Sequence, residues 1–257
     1  MIKFFNLKQT GENDVELRIE GDIVSSGMAW LYKWFEEPYA APNEFRDELK
    51  KHDGKNITIW INSNGGDVIA GCAIYTALFE FKGIKTVKID GIAASIASVI
   101  AMAGDKILMS PTSILMGHNP WSYAIGDVHE LETEIRALTA CKEIIINAYE
   151  KKTKLSRDKI SAMMDEDFWL DPKQAIEYGF ADGMLYEDEE QRDFKNIING
   201  ARLCFNSIDK SRMFAALRKI PDFADSKNHE KASEDSEPES GVEYLQAKIN
   251  LEKLRFI

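Results

Sequence analysis

The chain has 257 residues, 44% of them apolar and 29% charged, which supports one substantial core and excludes a fibrous or wholly disordered protein. Its net charge of -11 at pH 7 excludes a general nucleic-acid binder, whose phosphate contacts need a basic face. The most apolar run, residues 91–103, is shorter than the ~20 residues a helix needs to cross a bilayer.

Cys72, Cys141 and Cys204 are far apart and odd in number, so they read as buried thiols in a reducing compartment, not as a disulfide framework or zinc site. The opening Met-Ile-Lys-Phe-Phe-Asn lacks both the long apolar core and the small-residue cleavage site of a secretory signal. The expectation is a cytoplasmic protein.

Residues 15–19 alternate apolar and polar up to Gly21-Asp22 and read as a first strand. Residues 28–50 place Trp30, Leu31, Trp34, Phe35, Phe45 and Leu49 at three-to-four spacing, which predicts two short helices broken by the segment holding Pro38 and Pro42. Residues 57–61 form a strong second strand that runs into Asn62-Ser-Asn-Gly-Gly66. Asp67 then opens a helix carrying Val68, Cys72, Tyr75, Leu78 and Phe79. A Gly-Gly turn between strand and helix admits a plain tight turn, a phosphate cradle or a backbone oxyanion donor. The P-loop and Gly-x-Gly-x-x-Gly spacings are both missing, which weakens the second.

Residues 84–89 repeat the pattern, leading into Gly91-Ile-Ala-Ala-Ser95-Ile-Ala-Ser98 and an apolar segment that ends at Gly104. Ser95 therefore falls where a strand becomes a buried helix, beside small residues and the unpaired N–H groups of a first helical turn. The same residues also describe a tightly packed Ala-rich helix, and the Gly-x-Ser-x-Gly elbow is absent. Two consecutive strand–turn–helix units put both turns at one end of a mostly parallel sheet, where the glycine amides and the serine can share a pocket.

Residues 106–109 and 113–116 are short strands separated by Pro111, the second ending in Gly117-His118-Asn119-Pro120. His52, His129 and His229 lie in polar surroundings and read as solvated; His118 ends an apolar strand where parallel-sheet sites gather. Asp127 caps a long helix with Leu131, Ile135, Leu138, Ile145 and Tyr149 on one face, part of it available to an oligomer contact. Ser156 caps a shorter helix ending at Met163-Met164. Asp165-Glu-Asp167 then precedes Phe-Trp-Leu170, as solvated loop charge or as a carboxylate that orients an imidazole. Asp171, Pro172 and Gly179 bracket a compact helix. From residue 187 the composition turns polar and charged, with a small basic amphipathic helix at 208–220, a disordered stretch at 222–240 and a weak helical stripe of Val242, Leu245, Ile249 and Phe256.

Together, over about residues 15–186, these segments resemble the ClpP-type serine peptidases. Ile61-Asn-Ser-Asn-Gly-Gly66 is similar to the family's glycine motif, the run around Ser95 to its nucleophile motif, and Met116-Gly-His118-Asn-Pro120 to its histidine motif. Asp167-Phe-Trp-Leu170 with the following helix is similar to its aspartate motif. The resemblance implies an α/β ClpP/crotonase-like spiral of β-β-α units with a mostly parallel sheet and a long handle helix. It divides the chain into a peptidase domain, 1–186, and a C-terminal extension, 187–257.

It further implies that Ser95 attacks the peptide carbonyl, His118 takes its proton and Asp167 orients the imidazole. The backbone N–H groups of Gly66 and Ile96 hold the oxyanion, and neither cofactor nor metal is required. Family members stack as rings, commonly two of seven, around their active sites. Three features depart from the family pattern: Asn64 stands where proline is usual, Gly117 replaces a bulky residue, and Asp165 competes in sequence with Asp167 for the orienting role. The 30–45 insertion and the tail resemble phage-encoded head maturation proteases, which implies a capsid or scaffold protein as substrate. The rival readings are a host-type subunit fed by an ATPase unfoldase, a crotonase-like acyl-CoA enzyme and a non-catalytic assembly scaffold.

Overall fold

The computed structural model describes residues 8–186. The expectations for Cys204, His229 and the extension beyond residue 186 lie outside the described residues.

Strand β1 (Lys8–Gln9) pairs antiparallel with β2 (Asp14–Ile23), whose Val15, Leu17 and Ile19 are buried while Glu16, Arg18 and Glu20 take the other face. Helix α1 (Ala29–Trp34) and helix α2 (Pro42–Lys50) form as expected, the latter with Pro42 in its first turn. The proline segment between them is more ordered than its composition implies: β3 (Tyr39–Ala40) pairs parallel with the end of β2. Two residues carry too little periodicity for such a strand to show in sequence.

Strand β4 (Asn56–Gly66) buries Ile57, Ile59 and Ile61 on the face that β2 also buries, and it continues through the Gly-Gly pair. The expected turn is thus the end of a strand, because Ile23 of β2 pairs with Gly66. Helix α3 (Val68–Glu80) starts at Asp67, whose carboxylate accepts the Ala70 N–H at 2.7 Å. Strand β5 (Lys85–Ala94) runs into α4 (Ile96–Ala101), in which every residue is buried. Next come β6 (Lys106–Met109), β7 (Ile114–Gly117), α5 (Val128–Lys152), α6 (Arg157–Asp165), β8 (Phe168–Leu170), α7 (Pro172–Tyr178) and β9 (Gly183–Met184).

The sheet runs β1-β2-β4-β5-β6-β9, with β3 on β2, β7 on β5 and β8 on β7. Every pairing is parallel except β1–β2 and β7–β8. The buried face packs against the helices, and α4 contributes Ile96, Ala97, Val99, Ile100 and Ala101 to that core. The opposite face is polar: Arg18 pairs with Asp90 at 2.7 Å, and Lys88 lies 5.0 Å from the centre of the Trp60 ring.

Helix α5 begins after Asp127, whose carboxylate accepts the His129 and Glu130 N–H groups. Its expected stripe is only half realised. Ile145 and Tyr149 are buried, with Ile146 and Ala148, whereas Ile135 is 63% exposed. Cys72 and Cys141 are free and only partly buried, which corrects the expectation of buried thiols for these two. Residues 8–123 and 132–186 group as one unit, and residues 124–131 group apart. Among the described residues no helix is long and apolar enough to cross a membrane.

Candidate active site

Strand register assembles the site. Ala94 pairs with Met116 where β5 meets β7, and the Ser95 N–H donates to the Met116 carbonyl at 2.9 Å. Ser95 therefore lies beside the chain two residues before His118. Gly117 pairs with Phe168 where β7 meets β8 antiparallel, so the next step along each strand sets His118 against Asp167. Ser63 pairs with Ala93 across β4 and β5, which carries the Gly-Gly pair up to the serine.

Ser95 adopts φ 53° and ψ -129°, a backbone conformation that costs a non-glycine residue about 1–3 kcal/mol and persists only where neighbours enforce it. The chain thus makes a sharp strand-to-helix elbow without the glycines that usually announce one. His118 Nε2 lies 2.7 Å from Ser95 Oγ. The imidazole is pushed below its ordinary range by burial, and the charge of Asp167 opposes that shift. A neutral imidazole next to a hydroxyl is the arrangement a general base requires.

Asp167 has φ 52° and lies one residue beyond the Glu166 C-cap of α6, its N–H donating to the Met164 carbonyl at 3.4 Å. Aspartate tolerates this left-handed position better than most residues, and it turns the chain into β8. Among the described residues Asp167 and His118 form no hydrogen bond; the carboxylate reaches the imidazole through its charge. Asp165 is engaged elsewhere, accepting from Lys142 Nζ at 2.6 Å and Asn119 Nδ2 at 2.8 Å, and these bonds hold its carboxyl below the usual carboxylate range.

Gly65 and Gly66 both have positive φ, 96° and 145°. Gly65 is the residue pressed against the elbow: a Cβ there would stand 2.7 Å from Ser95 Cβ and 3.2 Å from the Ile96 nitrogen. Gly66 abuts β2, where a Cβ would run into the Ile23 carbonyl oxygen. Ile96 is the first residue of α4, so its N–H has no acceptor within the helix.

Sequence reasoning passed over Ser63. The residue is 2% exposed, and its hydroxyl donates to the Gly21 carbonyl at 2.6 Å and accepts the Gly65 N–H at 3.1 Å, tying the glycine segment down. Only strand register identifies it, because a serine in a strand carries no other signal. Burial raises the thiol pKa of both Cys72 and Cys141, which keeps them protonated and poorly nucleophilic. Among the described residues no three His, Cys, Asp or Glu side chains converge as metal ligands.

Residues 48–188 match the family profile described as Clp protease. The chain belongs to the Clp protease family. A Clp protease proteolytic subunit from Deinococcus radiodurans is 28% identical over 192 residues, spanning 72% of this chain and 93% of that one. A Clp proteolytic subunit from Bacteroides fragilis is 38% identical over 135 residues, 51% of this chain and 65% of that one. Both are named as ATP-dependent. Among solved structures, a ClpP1 mutant from Listeria monocytogenes superposes with a TM-score of 0.56 at 26% identity, covering 69% of this chain and 92% of that one. The expected α/β fold with its mostly parallel sheet is therefore that of a Clp protease, and the chain is a serine-type peptidase of this family. Helix α1, β3 and the start of α2 precede the matched segment.

Proposed function

We propose that this Clp protease hydrolyses peptide bonds with Ser95 as nucleophile, His118 as general base and Asp167 as the carboxylate that favours the imidazolium formed during attack. The observation that carries this reading is the 2.7 Å contact between Ser95 Oγ and His118 Nε2 on a strained elbow. As Ser95 Oγ bonds to the carbonyl carbon, its proton passes to His118 Nε2 and the carbonyl oxygen becomes an oxyanion. The N–H groups of Gly66 and Ile96 receive that charge, a single donor of this kind being worth about 3–4 kcal/mol. His118 then returns the proton to the leaving amine, and water reverses the sequence to release the acyl group.

The working form is a homo-oligomeric ring. Its support is the apolar surface on α5, where Ile135 is 63% and Ile144 38% exposed; the ring size expected from the resemblance, two rings of seven, is part of this reading. The free, protonated thiols of Cys72 and Cys141 fit a cytoplasmic setting. Two substrate assignments follow. The segment 30–45 and residues 187–257 favour a head maturation protease cutting capsid or scaffold protein; the relatives' names favour a subunit supplied by an ATPase.

The purified chain incubated with an unstructured protein and with a folded one, without nucleotide or partner, tests both levels. Cleavage of the unstructured protein that disappears in Ser95→Ala supports the peptidase. Cleavage of folded head protein without a partner supports maturation, and resistance until an unfoldase is added supports the ATPase-fed subunit. No cleavage by an intact wild-type oligomer favours the crotonase-like or scaffold reading.

A further inference from the structure

One buried side chain touches the residue before His118, the residue after Asp167 and the serine three positions after Ser95. Tyr149, on α5, is 1% exposed, and its hydroxyl lies 2.7 Å from Ser98 Oγ, which is itself fully buried. Ser98 Oγ donates to the carbonyl oxygen of Ser95 at 2.6 Å, and the Ser98 N–H reaches the same oxygen at 3.0 Å. A carbonyl only accepts, so the single Ser98 hydroxyl proton is committed to Ser95 and the proton of the second bond must come from Tyr149. Burial raises the phenol far above its ordinary range, which keeps it a neutral donor. The chain of bonds therefore has one direction: Tyr149 to Ser98 to the backbone of Ser95.

The same phenol sits under Gly117, the residue before His118, where a Cβ would stand 2.9 Å from Tyr149 Oη and would run into Phe168 Cζ. The space that Gly117 leaves empty is the space the Tyr149 hydroxyl and Phe168 occupy. The Tyr149 ring packs edge-on against Phe168, the residue after Asp167, with centroids 5.9 Å apart, and against Phe180 at 5.3 Å.

We propose that Tyr149 and Ser98 are positioning residues, a buried hydroxyl relay that fixes the Ser95 elbow in register with the strand ends bearing His118 and Asp167. The inference rests on the peptidase reading above. The relay touches no substrate atom, so its contribution is to the rate of acylation and not to substrate affinity. Two bonds from Ser98 hold the Ser95 carbonyl against a backbone conformation that would otherwise relax, and relaxation moves Oγ away from Nε2.

The test is steady-state peptide hydrolysis by the full-length chain and by Tyr149→Phe, Ser98→Ala and the double variant, with melting temperature and oligomeric state measured in parallel. Tyr149→Phe keeps the ring and its packing; Ser98→Ala removes the middle of the relay independently, so either variant carries the test if the other fails to fold. Each single variant should lower kcat about fivefold to tenfold with KM unchanged, the size expected for one hydrogen bond expressed in the transition state. The double variant should be no slower than Ser98→Ala, because the relay is already broken there. Unchanged kcat in folded variants of an active wild type, whatever happens to melting temperature, overturns the relay alone. A wild type that folds and assembles but does not turn over peptide overturns the peptidase reading, and the relay with it.

Discussion

Gly65 and Ser95 approach so closely that a methyl group on the first would lie 2.7 Å from the Cβ of the second. The contact explains why the elbow needs a glycine at this position: a side chain on residue 65 would have to displace Ser95.

Gly65→Ala should therefore lose most activity. The substitution combines an unfavourable φ of 96° with the clash against Ser95, and displacing the proposed nucleophile by about 1 Å would cost roughly 100-fold in rate. Comparing kcat/KM for this variant with that of the wild type, both purified as oligomers, checks it; activity within a factor of three would show that the elbow does not depend on the close approach.

The pH profile follows from His118. Its net shift is downward, with burial outweighing the Asp167 charge. A base works only when neutral, so activity is present above the folded pKa and falls as pH drops through it. The acid limb of kcat/KM should have its midpoint below the unperturbed value of about 6.5. Measuring kcat/KM between pH 4.5 and 8 decides the matter, and a midpoint above 7 would contradict the direction of the shift.

Asp167 and Asp165 should separate cleanly. Asp167→Asn removes the charge proposed to favour the imidazolium; since that charge acts on His118 without a hydrogen bond, kcat should fall by roughly tenfold and the acid limb should move further down. Asp165→Asn loosens exposed bonds to Lys142 and Asn119 and should leave kcat within a factor of about three. Side-by-side kinetics of the two amides is the comparison; equal losses would mean that the two carboxylates share the role.

Gly117 leaves a volume that two aromatic side chains fill. Gly117→Ala places a methyl group in the volume held by Phe168 Cζ and the Tyr149 hydroxyl, an overpacking worth about 1–3 kcal/mol of stability. A lowered melting temperature together with reduced kcat is expected, and a thermal transition identical to the wild type would show that the aromatic cluster yields freely.

Much of the candidate site was legible because its parts coincide with local signals. Ser95 stands at a change from strand to helix, His118 at the end of an apolar strand, and Asp67, Ser156 and Asp171 at helix starts that side-chain caps mark in the structure. What sequence could not show depends on register between distant strands. The pairing of Ser63 with Ala93 brings Gly65 to the serine; β3 is too short to have a period; Tyr149 reads as one more apolar helix position. The spacing on α5 predicts a single apolar face, but periodicity reports which residues are apolar and not which of them the same chain covers, so Ile135 is exposed while Ile145 is buried.

The most direct test of the central claim is covalent. The intact chain treated with a fluorophosphonate, then digested and mapped by mass spectrometry, should carry the label on Ser95, lose it in Ser95→Ala and acquire it far more slowly in His118→Ala. Label on a different serine, or none on a folded wild-type oligomer, would contradict the assignment of Ser95 and His118 as the reacting pair.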